Sequence, residues 1–217
     1  VSPADLAGRR LYLCTPDRPD LPRFVEACLR GGVDVVQLRD KGLEARPLLA
    51  ALGALGPVCA AHGAPLIVND RPDLALAAGA DGVHLGQDDV GVGVARRILG
   101  PTAIVGRSTH GDDDLARAQG EAVDYLSAGP VVPTPTKPGR PGTGTDYLAR
   151  AVAAEAARED PRPVFVTGGV TPDTVGDLAR SGARHFVVVR YLTEASDPEA
   201  AARRLRAAVD RALATGA

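Results

Sequence analysis

GPVVPTPTKPGRPGTG, residues 129–144, is the stretch on which the fold turns. It holds five prolines, four glycines, three threonines and one lysine. Neither a helix interior nor a central strand tolerates that mixture, because proline fixes φ and removes a backbone donor while glycine weakens regular structure. The segment is therefore either a linker between two domains or a loop within one. Its flanks decide which.

On both sides, short apolar strands alternate with helical patterns. The strands are LYLCT (11–15), VVQLR (35–39), LIVND (66–70), GVHLG (82–86), AIVGRST (103–109), YLSAGP (125–130), VFVTGG (164–169) and HFVVVR (185–190). Helical spacing marks residues 21–31, 44–63, 112–120, 146–158 and 172–181, and a last helix covers about 197–214. A faint repeat runs through RGGVDVVQLR, AAGADGVHLG, GEAVDYLSAG and RSGARHFVVVR, each a helix end, a small residue and a strand. Near-continuous apolar strands joined by helices imply a parallel sheet covered on its outer face. Eight such units in 217 residues predict an α/β fold, one (β/α)8 TIM barrel over residues 1–217. An open doubly wound sheet is the alternative, but LYLCTPDRP stands where its glycine fingerprint belongs. In a barrel, 129–144 is the loop after strand six, on the face where barrel enzymes do their chemistry.

Composition narrows the function. Apolar residues make up 45% of the chain and aromatic residues 3%, so the core is built from Val, Leu, Ala and Ile. A net charge of −2, with scattered arginines and few rings to stack bases, argues against nucleic-acid binding. No apolar run reaches membrane-spanning length and VSPADLAGRR has no signal-peptide core, which predicts no membrane association and a cytoplasmic protein. Cys14, Cys28 and Cys59 lack metal-ligand spacing and read as buried thiols in a reducing compartment. Of 25 basic residues only Lys41 and Lys137 are lysines. In a chain that otherwise uses arginine, a lysine is either a chance survival or sits where a compact, flexible ammonium is needed. Oligomeric state leaves no mark in the sequence.

The strand ends carry the polar groups. In QLRDK, alternation puts Gln37, Arg39 and Lys41 on one face, a set suited to a polyanion, with Asp40 free to pair locally. Asn69 and Asp70 end strand three, and Gln87, Asp88 and Asp89 follow strand four. Asp70 and Asp89 beside those cations suit Mg²⁺, which takes one or two carboxylates, water and substrate phosphate oxygens; an ion pair of Asp70 with Arg71 is the structural alternative. GRSTH offers Ser108, Thr109 and His110, either to a phosphate or as a helix cap. His84 reads as a satisfied core histidine, and His62 and His185 have no neighbours that suggest chemistry. The Gly-Gly turn of VTGGVTP is either a plain tight turn or, as its placement after strand seven favours, a phosphate seat.

Taken together and in order, QLRDK, VNDRPDLALAAGADGVHLGQDD, GRSTH, GPVVPTPTK and TGGV resemble the thiamine phosphate synthase family. The likeness runs from LYLCT to about SDPEAA. It implies a barrel enzyme that joins a pyrimidine diphosphate to a thiazole phosphate, releasing pyrophosphate with Mg²⁺ as cofactor. It also implies that Gln37, Arg39, Lys41, Asn69, Ser108 and Lys137 hold the pyrimidine diphosphate, and that Asp70 and Asp89 hold the metal. Thr134, Thr136, Gly169, Val189 and Arg190 match the thiazole phosphate positions. At Arg190 many members of the family carry a small hydroxyl residue; an arginine there either grips the phosphate or turns outward to a carboxylate.

The implied chemistry is dissociative, with Arg39, Lys41, Ser108 and Lys137 as the catalytic group. It needs no general base, which agrees with the lack of a Ser–His–Asp set. Three rivals remain: a thiazole tautomerase-like barrel, a Schiff-base aldolase on Lys137, and a phosphate-binding barrel without catalysis. The first lacks the diphosphate constellation, and the second usually keeps its lysine within a strand in a less polar pocket.

Overall fold

The computed structural model of the chain describes residues 3–134 and 141–215. Eight parallel strands close in sequence order: β1 (Leu11–Thr15), β2 (Val35–Leu38), β3 (Leu66–Asn69), β4 (Gly82–Leu85), β5 (Ile104–Thr109), β6 (Tyr125–Ala128), β7 (Val164–Val166) and β8 (His185–Val188). β8 pairs back onto β1, with Tyr12 opposite Val187. The helices are α1 (Leu21–Arg30), α2 (Ala45–Ala61), α3 (Pro72–Ala78), α4 (Val92–Leu99), α5 (Asp112–Gln119), α6 (Gly144–Ala156), α7 (Val175–Arg180), α8 (Arg190–Thr193) and α9 (Pro198–Ala214). The expected TIM barrel is the observed fold.

Alternation along the strands divides the core in two. Outward-facing Leu11, Leu13, Val36, Leu38, Val83 and Leu126 pack under the helices. Inward-facing Tyr12, Val35, Ile67, Ile104, Tyr125 and Phe165 fill the barrel, and Leu6, from a 3₁₀ turn at Pro3–Gly8, joins them. Two inward positions are glycine for a steric reason. A Cβ on Gly82 would stand 2.0 Å from the Ile104 carbonyl oxygen, and one on Gly106 would stand 2.1 Å from Cζ of Tyr125. Ile104 occupies the first space and the Tyr125 ring the second.

Most strands stop one to three residues short of the apolar runs in the sequence, because the chain leaves the ladder as it reaches the barrel mouth. Positive φ values mark the exits: 63° at Asp70, 133° at Gly129, 91° at Gly168 and 73° at Gly169. Helices α3 and α4, which periodicity did not single out, have only seven and eight residues. That is too short for a clear repeat. End signals do mark α3: Pro72 opens it and Gly79, at φ 64°, closes it in the left-handed region. Helix α7 starts at Val175, three residues later than its pattern implied, because Thr174 holds the preceding turn. Its hydroxyl accepts from the Thr171 amide at 3.0 Å and donates to the Gly169 carbonyl at 2.6 Å.

The proline-rich segment joins β6 to α6, as a loop and not a linker. Its two ends are tied together: the Thr143 amide donates to the Pro130 carbonyl at 2.8 Å, and the Gly144 amide to the Val131 carbonyl at 3.1 Å. The Val131 amide in turn donates to the Thr167 carbonyl past the end of β7, at 2.8 Å. Thr136 and Lys137 lie outside the described residues. Among the described residues no helix is long and apolar enough to cross a membrane.

Candidate active site

A cavity of about 400 Å³ opens at the C-terminal ends of the strands. From β2 comes Gln37, and from the chain just past its end come Arg39 and Lys41, all three lining the cavity as expected. Asn69 and Asp70 enter from the end of β3, Asp89 from the loop after β4, and Ser108 from β5. Opposite them lie Thr134 from the loop after β6, Gly169 beyond β7, and Val189 with Arg190 beyond β8. The expected site residues within the described chain thus converge on one cavity.

The carboxylates are held in a defined way. Asp70 is the one non-glycine residue at positive φ among the described residues. Its amide donates to the His84 carbonyl at 2.9 Å, and the Arg71 amide folds back onto the Asn69 carbonyl at 2.8 Å. A left-handed L-residue at a tight turn costs roughly 1–2 kcal/mol, a strain typical of functional positions. Asp70 does not pair with Arg71. That guanidinium binds Asp73 through Nε at 2.9 Å and Nη2 at 2.6 Å. The cation beside Asp70 is Lys41, whose Nζ lies 2.9 Å from Oδ2. Asp40 is engaged locally, accepting from the Gly42 amide at 3.0 Å and the Asp17 amide at 3.3 Å.

Asp70 and Asp89 hydrogen-bond to each other and titrate in opposite directions. Burial pushes the Asp70 carboxyl up, but hydrogen bonds from Asp89 and Lys41 outweigh it and hold the group below its ordinary range. Burial raises Asp89, and the bond to Asp70 raises it further. Neighbouring carboxylates disfavour each other's ionised form, and a cation between them relieves that repulsion. The pair fits Mg²⁺, which needs only one or two protein carboxylates and completes its shell with water and phosphate oxygens.

Arg107 supports the Asp89 loop from behind, a role that the sequence reading missed. Its buried guanidinium donates to the Gly86 carbonyl at 2.7 Å and to Gln87 Oε1 at 3.3 Å, and it pairs with Glu121 at 3.3 Å. Gln87 donates to the Ser108 carbonyl at 2.5 Å, and the Gly86 amide donates to Asp89 Oδ2 at 2.7 Å. Below them the cavity floor is formed by Tyr12, Cys14, His84 and Tyr125. His84 is satisfied, as expected, at both nitrogens: Nδ1 lies 2.9 Å from the Tyr125 hydroxyl and Nε2 2.9 Å from Ser108 Oγ. It is nevertheless a cavity residue. The parity that selects Gln37 and Arg39 also selects Tyr12, Cys14 and Tyr125, so alternation was the available signal. His185 has polar partners after all: its Nδ1 lies 2.5 Å from the Arg9 carbonyl, and burial lowers its pKa to about 4.

At the other end of the cavity, Gly168 and Gly169 turn in succession at positive φ. Because α7 begins at Val175, this turn is not itself a helix start. The helix start at the cavity belongs to α8, directly after Val189. Barrels commonly bind phosphate between the loops after strands seven and eight and a short extra helix of this kind. Arg190 lines the cavity, and its half-exposed guanidinium lies 4.0 Å from Glu194, just past the end of α8.

A family model described as thiamine monophosphate synthase matches residues 11–192, from the first residue of β1 into α8. The chain belongs to the thiamine monophosphate synthase family. A thiamine-phosphate synthase of Mycobacterium sp. (strain KMS) is 51% identical over 218 residues, covering 94% of each chain. One of Thermobifida fusca (strain YX) is 51% identical over 205 residues, covering 93% of this chain and 92% of the relative. Among solved structures, the thiamine phosphate pyrophosphorylase from Pyrococcus furiosus superposes with a TM-score of 0.83 at 30% identity, over 94% of this chain and 96% of the other. The family's activity, thiamine phosphate synthesis by a transferase, is the activity of this chain. The two synthases, 51% identical over more than nine-tenths of the chain, favour this activity over the tautomerase, aldolase and non-catalytic readings.

Proposed function

We propose that the enzyme condenses 4-amino-2-methyl-5-hydroxymethylpyrimidine diphosphate with 4-methyl-5-(2-hydroxyethyl)thiazole phosphate, releasing pyrophosphate by a Mg²⁺-assisted dissociative substitution. The observation that carries this reading is the division of the cavity: cations and a carboxylate pair at one end, a glycine turn and a helix start at the other. One substrate bears a diphosphate and the other a single phosphate. The division fits that asymmetry.

At the first end, Gln37 and Asn69 orient the pyrimidine, and Arg39 and Lys41 bind its diphosphate. Lys41 leaves Asp70 for the incoming phosphate oxygens, a short move for a side chain that is mostly exposed. Asp70 and Asp89 hold Mg²⁺, which supplies positive charge against the diphosphate when bound. Ser108 donates a hydrogen bond to the departing pyrophosphate while keeping its proton, and Lys137, from the loop after β6, adds a second ammonium there. These groups are preorganised where negative charge grows, and they therefore lower the barrier to ionisation. The aminopyrimidine ring delocalises the cation left on its CH₂ carbon.

At the second end, the backbone amides of Gly169 and of the Val189–Arg190 step hold the thiazole phosphate, with Thr134 and Thr136 as hydroxyl donors. Arg190 acts through its backbone while its guanidinium rests near Glu194. The thiazole nitrogen, positioned by this grip, attacks the cationic carbon. No proton is abstracted in that step, so no general base is required. The three buried cysteines, none of them in a disulfide, suit a reducing cytoplasm.

A pyrimidine substrate with an electron-withdrawing ring substituent tests the mechanism. Single-turnover rates are expected to fall by orders of magnitude while binding changes little. Equal rates for the two substrates would mean that the thiazole displaces the diphosphate directly, without a cation.

A further inference from the structure

Beneath the cavity, a continuous line of buried polar groups crosses the barrel from β1 to β5. Cys14 Sγ lies 3.4 Å from Gln37 Oε1, and Gln37 Nε2 lies 2.7 Å from the Tyr12 hydroxyl. The Tyr12 and Tyr125 hydroxyls are 2.9 Å apart, and the Tyr125 hydroxyl is 2.9 Å from His84 Nδ1. His84 Nε2 ends the line 2.9 Å from Ser108 Oγ. Each of these side chains is buried. Such a chain exceeds what packing alone requires, since phenylalanines at 12 and 125 would fill the same volume without desolvating two hydroxyls.

Counting protons gives the line a direction. The thiol of Cys14 donates to Oε1, which turns the amide so that Nε2 donates to Tyr12. The Tyr12 oxygen is then an acceptor, and its one proton goes to Tyr125. The one proton of Tyr125 goes to His84 Nδ1. A ring nitrogen that accepts carries no proton, so the neutral imidazole bears its proton on Nε2 and donates it to Ser108 Oγ. Having accepted from the ring, the serine keeps its own proton for the cavity. Bonds aligned in one sense strengthen each other at low dielectric.

We propose that Tyr12, Tyr125 and His84 are positioning residues: they form a one-way hydrogen-bond relay that fixes Ser108 as a donor toward the departing phosphate. The proposal rests on the assignment of Ser108 to that group. Two further features support it. Gly106 leaves open the space beside the Tyr125 hydroxyl, where a Cβ would come within 2.4 Å of it. Burial raises the pKa of both tyrosines well above the ordinary value, so each keeps the proton it must pass on. Without the relay, Ser108 is free to donate to the imidazole instead, and its oxygen lone pairs then face a developing anion.

The test joins spectroscopy to kinetics. In protein labelled with ¹⁵N-histidine, with the His84 signals assigned by their loss in His84→Gln, the neutral ring is expected to show a bare Nδ1 and a protonated Nε2. Tyr125→Phe removes one oxygen and keeps the ring. It is expected to mix the two tautomers and to lower kcat about tenfold, with KM within twofold of wild type. Adding Tyr125→Phe to Ser108→Ala is expected to slow the enzyme no further, since the relay acts only through that serine. A protonated Nδ1 in the wild-type protein, or additive losses in the double variant, would overturn the relay. A slow Ser108→Ala beside a fast Tyr125→Phe overturns the relay alone. Wild-type kcat in Ser108→Ala overturns the serine's role and the relay's purpose with it. Should Tyr125→Phe fail to fold, the wild-type tautomer still decides the direction of the line.

Discussion

Asp70→Asn is expected to lower kcat by on the order of 10²–10³, the scale on which preorganised charge at a leaving group acts, while leaving the fold intact. The substitution removes half of the carboxylate pair and the partner of Lys41. Asparagine accepts the left-handed conformation at φ 63° at least as readily as aspartate, so the turn survives. The thermal midpoint should therefore stay within a few degrees of wild type, and the Mg²⁺ concentration for half-maximal rate should rise steeply. The wild-type Mg²⁺ titration carries its own signature. Asp89 is raised by burial and by its bond to Asp70, so protons compete with metal there at higher pH than at an ordinary carboxylate. Apparent metal affinity is expected to weaken as pH falls through the raised Asp89 value. An Asp70→Asn enzyme with wild-type metal dependence would return Asp70 to a structural role.

Lys137→Ala is expected to cost on the order of 10²-fold or more in kcat, with little change in stability. The stem of its loop is closed by backbone bonds from Thr143 and Gly144 to Pro130 and Val131. None of these bonds involves the lysine. Rate and stability should separate cleanly for that reason. Lys137→Arg is the sharper control, because a planar guanidinium does not replace a compact ammonium as a point charge on phosphate. It is expected to recover only part of the lost rate. Turnover at the wild-type level in Lys137→Ala would remove the loop from the chemistry.

The barrel was legible because its strands are short, apolar and alternate with helical patterns, an alternation that continues on both sides of the proline-rich segment. The mouth of the barrel was legible for a second physical reason. Side chains alternate along a strand, which puts Gln37 on the inward face of β2, and Arg39 and Lys41, just past its end, line the same cavity. What escaped sequence reasoning was of two kinds. Arg107 sits on the outward parity of β5, where a charged residue reads as a helix-facing ion pair, yet it braces the loop that carries Asp89. The line from Cys14 to Ser108 draws on five strands, and no window of sequence contains two consecutive members of it. Residues of this kind are joined only by barrel closure. The orientation of Arg190 was open for a simpler reason: a side chain at the first position of a four-residue helix has both the cavity and Glu194 within reach.

The most direct test of the whole account is a turnover assay on the purified chain with both substrates, following thiamine phosphate and pyrophosphate together. The account predicts the two products in equal amounts, formed with Mg²⁺ and stopped by a chelator. Folded protein that forms no thiamine phosphate, or forms it undiminished without a divalent ion, would contradict it.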